Sequence, residues 1–160
     1  MKAAGREVVY HTLQKENCLR LEADILDDID ESLSLIMLCN PNNPTGQCIE
    51  PELLSKILEK CLKTGTWIFM DECFLDLSER PDTFSLIPQM KDGDRIFVLN
   101  AFTKLYGMAG IRLGYGIPAA IQTRTRHDEY LFVLDDGVAL AAPLVYHAGL
   151  DYGVVLVPLD

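Results

Sequence analysis

The chain has 160 residues, 49% hydrophobic and 24% charged, the composition of a globular protein with enough apolar residues for a core. Its formal net charge of −10 argues against a nucleic-acid backbone or an anionic membrane as main partner. Five cysteines, at 18, 39, 48, 61 and 73, form no CxxC pair and have no histidine at zinc-ligand spacing, so they read as reduced thiols. With no apolar signal segment behind the first residues and no stretch of membrane-spanning length, the expected location is the cytoplasm, and the lack of metal-ligand spacing means that no metal is expected.

In chain order, residues 7–11 (EVVYH) read as a short strand and residues 22–30 (EADILDDID) as an acidic helix or turn. Residues 33–39 (LSLIMLC) form a nearly continuous apolar run, as in a strand covered on both faces, and end in the loop NPNNPTG. Glu50-Pro51 opens a helix with Leu53, Leu54, Ile57, Leu58, Cys61 and Leu62 on one face; proline suits its first turn and Gly65 its stop. Residues 66–70 make the next strand, with Trp67 taken as core, and the acids Asp71 and Glu72 follow. Residues 95–99 (RIFVL) and 111–117 (IRLGYGI) are further strands.

Strands alternating with helices or long crossovers predict an α/β fold: a three-layer, mostly parallel sheet flanked by helices. Ligands of such sheets bind outside the carboxyl ends of the strands. Three successive strand ends carry Asn43, Asp71 and Lys104, so all three should open into one crevice. Residues 1–118 read as one sheet-based unit, and residues 119–160 lose the strand–loop–helix cadence and are left unassigned.

An apolar strand ending in Asp-Glu also suits nucleotide hydrolases, but the phosphate cradle G-x-x-x-x-G-K-[ST] is missing. Asp71, Glu72 and Asp76 have no further ligand at fixed spacing that would make them a divalent-cation site. The alternative is a carboxylate facing a protonated ring nitrogen, with a lysine on a neighbouring strand holding the same ligand by its aldehyde. Pyridoxal phosphate requires that set together with phosphate donors.

The segments CNPNNPTG, FMDECFLDL and AFTKLYGMAGIRLGYG, in this order, resemble the large domain of fold-type I pyridoxal-phosphate enzymes, the class I/II aminotransferase group. Within it the chain is most similar to threonine-phosphate decarboxylases of cobalamin biosynthesis and to histidinol-phosphate aminotransferases. The resemblance implies that Asn43 bonds the phenolic oxygen of the cofactor, Asp71 pairs with its pyridine nitrogen and Lys104 forms the Schiff base. It further implies that Arg112 binds the phosphate, with Thr103 as a hydroxyl neighbour of the lysine. It implies a small amino acid phosphate as substrate and a homodimer for the longer parent.

Three departures qualify the resemblance. Phe74 stands where the group often has Tyr, which favours the decarboxylase branch over the transaminase. Ala101 replaces a Ser or Thr phosphate donor. The family's chains are more than twice as long, so residues 1–118 correspond to part of the large domain. A decarboxylase-like enzyme is therefore expected, with two alternatives: a histidinol-phosphate-type aminotransferase, or an inactive fragment of either.

Overall fold

The computed structural model describes residues 7–108, 113–119, 130–133 and 153–158. Among these residues seven strands form one sheet: β1 (Val9–Thr12), β2 (Leu33–Cys39), β3 (Trp67–Asp71), β4 (Ile96–Ala101), β5 (Leu113–Pro118), β6 (Tyr130–Val133) and β7 (Gly153–Pro158). Their order is β1-β7-β2-β3-β4-β5-β6. The centre, β2-β3-β4, is parallel. Antiparallel strands flank it, β7 and β1 on one side and β5 and β6 on the other.

Parallel neighbours need a crossover. Between β2 and β3 this is α1 (Pro51–Thr64), which begins on the proline and stops at Gly65 in the left-handed region, φ 76°. Its Leu54, Ile57, Leu58 and Cys61 are buried against Ile36, Leu38, Ile68, Met70, Ile96 and Val98 of the three central strands. Ile25 and Ile29, from the 3-10 turn Ala23–Asp28 and its end, complete that layer. Leu62, expected on the same helical face, is 44% exposed because its position lies at the margin of the stripe.

Successive residues of a strand point to opposite faces. Ile68 and Met70 enter the helix-covered face, and Trp67 and Phe69 take the other. Trp67 is 45% exposed, so the expectation that it belongs to the core is corrected: an apolar run does not reveal which face lacks a cover. On that second face Phe69 stacks on Phe97, with centroids 5.4 Å apart, and Phe97 lies over Gly116 of β5.

Candidate active site at the strand ends

The parallel register sets the site. Cys39 lies opposite Asp71, and Asp71 opposite Leu99, so β2, β3 and β4 end nearly level. The Asn40 N–H donates to the Asp71 carbonyl (2.9 Å) and the Glu72 N–H to the Leu99 carbonyl (2.8 Å), which extends the pairing one residue past each strand.

The loop after β2 is held from within. Asn40 is fully buried; its Nδ2 donates to the Phe84 carbonyl (2.7 Å) and its Oδ1 accepts from the Ile49 N–H (2.9 Å). Asn42 Nδ2 donates to Thr45 Oγ1 (2.9 Å), and the Asn42 and Gly46 N–H groups close the turn on Gln47 and Asn42 carbonyls. Asn43 is exposed at the tip and borders a cavity of about 300 Å³ shared with Pro41, Phe74, Leu77 and Ser78. The Ser78 hydroxyl, from a residue lining this cavity, is buried without a hydrogen-bond partner.

Asp71 is half-buried, and its Oδ1 accepts the Cys73 N–H (2.9 Å). Two thiols flank it. Burial, aided by the Asp71 charge, pushes Cys39 up to about 12, and burial pushes Cys73 higher still. Both therefore stay neutral. A carboxylate beside neutral, poorly hydrated groups is screened less than one in water, and its attraction for a cation is correspondingly stronger.

Glu72, next in the chain, is only 1% exposed. Its Oε1 accepts from the Leu86 N–H (2.7 Å) and its Oε2 from the Ser85 hydroxyl (2.8 Å). It anchors the segment that follows the short helix α2 (Pro81–Phe84) to the end of β3. Burial raises its carboxyl above the ordinary value, against the two hydrogen bonds that lower it. Sequence reasoning missed this role, although the signal was present: Ile68, Met70 and Glu72 share one parity, and the first two are core.

β4 passes into the short helix α3 (Phe102–Leu105), which ends near Gly107 at φ 65°. Phe102 packs on Tyr115 of β5 (5.3 Å between centroids) and on Tyr106 (5.8 Å), pinning the helix to the sheet. Lys104 is exposed, with its Nζ 5.0 Å from the centroid of the Phe74 ring; Thr103 is half-buried. Arg112 lies outside the described residues. The strand ends thus bring Asn43, Asp71, Thr103 and Lys104 to one edge of the sheet. Among the described residues no group of three or more His, Cys, Asp or Glu is arranged to hold a metal ion.

The aminotransferase class I and II family model matches residues 1–130. The chain belongs to that family. It is 33% identical over 140 residues to the threonine-phosphate decarboxylase of Salmonella typhimurium, covering 86% of this chain and 38% of that protein. It is 40% identical over 102 residues to the histidinol-phosphate aminotransferase of Methanothermobacter thermautotrophicus, covering 64% of this chain and 25% of that one. Among solved structures, the histidinol-phosphate aminotransferase of Clostridium acetobutylicum superimposes with a TM-score of 0.57 at 28% identity, over 62% of this chain and 30% of the other. This family member therefore spans well under half the length of these relatives. No helix among the described residues is long and apolar enough to cross a membrane.

Proposed function

We propose that the chain carries the pyridoxal-phosphate-binding strand ends of an enzyme acting on a phosphorylated amino acid, with threonine-phosphate decarboxylation as the reaction. One observation carries the reading. Asp71 and Lys104 stand at neighbouring parallel strand ends with opposite charges, yet Lys104 pairs with no carboxylate among the described residues. Both remain available to a ligand that needs an anion at one end and an amine at the other.

The residues fit that group. Asp71 would hold the ring nitrogen in its protonated form, since a nearby anion favours the cation. Lys104 would bond the aldehyde, give way to the substrate amine and then move a proton at the substrate Cα. Asn43 would donate its amide to the phenolic oxygen, with Thr103 and Arg112 as phosphate donors. Bound there, pyridoxal phosphate supplies the electron sink for the pair left when a bond at Cα breaks.

Phe74 and the 86% coverage by the Salmonella decarboxylase match support decarboxylation. The 40% identity to a histidinol-phosphate aminotransferase supports the second reading, transamination by the same residues. A cytoplasmic homodimer is proposed for the protein at its relatives' length. For the 160-residue chain itself the reading extends to binding; turnover is proposed for the longer form.

The test is to mix the chain with pyridoxal phosphate, reduce with borohydride and map the label by mass spectrometry. Stoichiometric label on Lys104, abolished in Lys104→Ala, is expected. Label scattered over surface lysines, or unchanged in that variant, overturns the site. In the longer form, carbon dioxide release from threonine phosphate separates the decarboxylase from the transaminase, which yields a keto product instead.

A further inference from the structure

Lys104 forms no ion pair with Asp71 among the described residues, although a flexible four-carbon stem lets an ammonium reach a carboxylate at an adjacent strand end. The Lys104 Nζ lies instead over the Phe74 ring, 5.0 Å from its centroid. The face of a benzene ring carries negative partial charge and attracts a cation, but it forms no salt bridge and takes no proton. The backbone that carries the ring is itself held. After β3 the chain turns through Leu75–Leu77; the Leu75 N–H donates to the Glu72 carbonyl (2.9 Å), the Leu77 N–H to the Phe74 carbonyl (3.1 Å), and Leu75 is buried. Glu72 offers no competing site, because both of its oxygens are engaged.

We propose that Phe74 is a positioning residue that holds the Lys104 ammonium off Asp71, so that the amine and the carboxylate remain open to the same ligand. The purpose of the contact rests on the cofactor reading above; the contact itself does not. Leucine at this position fills space but offers no ring face, and the ammonium is then free to turn to a carboxylate such as Asp71. Tyrosine keeps the face.

The contact is tested on the whole 160-residue chain without cofactor. Its lysines are dimethylated with ¹³C-formaldehyde, and the Lys104 signal is identified by its loss in Lys104→Ala. Ring current should displace that signal upfield of the other lysines in the unsubstituted chain and in Phe74→Tyr, and Phe74→Leu should return it to their envelope. An undisplaced Lys104 signal in the unsubstituted chain overturns the proposal, and that measurement needs no variant at position 74 to fold. Borohydride-trapped labelling by pyridoxal phosphate then tests the purpose: labelling of Lys104 should slow about two- to five-fold in Phe74→Leu and recover in Phe74→Tyr. Equal rates in all three overturn the positioning role. A displaced signal with no Lys104 label in any of them upholds the contact and overturns the cofactor reading instead.

Discussion

Glu72 and Asp71 are consecutive residues at one strand end, yet the fold treats the same functional group in opposite ways, burying the first and leaving the second half-buried. Behind the sheet, Ser85 and Leu86 satisfy both oxygens of Glu72 and water is excluded. In front, Asp71 takes one backbone N–H and lies beside neutral thiols. One carboxylate is consumed by structure, and the other is the one proposed to meet a ligand. The alternation of side chains along a strand is enough to sort them, because an odd and an even position cannot enter the same layer.

The largest effect that would break this comparison is on the closed side. Glu72→Ala leaves the Leu86 N–H and the Ser85 hydroxyl without their acceptor in a buried site, and should lower stability by about 3 kcal/mol in urea titrations. A loss below about 1 kcal/mol would mean that the pocket admits water and that Glu72 belongs with Asp71. Next in size is Gly116→Ala, on the face shared by Phe69, Asp71 and Phe97. A Cβ there would collide with the Phe97 ring, so the stacked pair must shift. Overpacking of this kind should cost about 2 kcal/mol, read as a lowered midpoint at unchanged slope.

How far the sequence reveals these two environments differs by residue. Residues 33–39 are legible as β2 because their apolar run exceeds what a half-exposed strand needs, and the Pro51 start and Gly65 stop of α1 follow from backbone restrictions of those two residues. The insertion of β7 between β1 and β2 is not legible, since pairing with a strand more than a hundred residues away leaves no local pattern. At the ends of β2, β3 and β4 the sequence offers Asn43, Asp71 and Lys104 as a candidate site. The burial of Glu72 is legible only through its parity, and its partners are not, because Ser85 and Leu86 resemble any loop residues. The Lys104–Phe74 contact depends on two turns whose directions no short-range rule supplies.

A smaller effect is the pH dependence of the stability that Glu72 contributes. Burial, the main cause, raises the Glu72 carboxyl above its ordinary 4.5, so the folded chain holds that proton more tightly than the unfolded one. The stability this group contributes is fully present below about 4.5 and is lost as pH rises through the raised folded value. Glu72→Gln keeps an acceptor for Leu86 and removes the titration. Stability of the parent relative to this variant should therefore fall between pH 4.5 and the raised value, followed by thermal melts at closely spaced pH. A difference that stays flat across that window would place Glu72 in an environment as wet as an exposed carboxylate's.

The smallest effect on stability should come from Asp71→Asn, and it is the sharpest test of the open side. Asparagine has nearly the same shape and its Oδ1 still accepts the Cys73 N–H, so the fold loses only the negative charge. Since no described cation pairs with that charge, the change in unfolding free energy should stay within about 0.5 kcal/mol. Pyridoxal-phosphate affinity should respond quite differently. An amide does not hold a ring nitrogen in its protonated form, and each pKa unit forfeited there is worth about 1.4 kcal/mol, or ten-fold in binding. A variant of native stability that binds pyridoxal phosphate at least ten-fold more weakly would show that Asp71 acts on the ligand and not on the fold. If both quantities move together, Asp71 is a second structural acid, and the distinction between the two sides of β3 disappears.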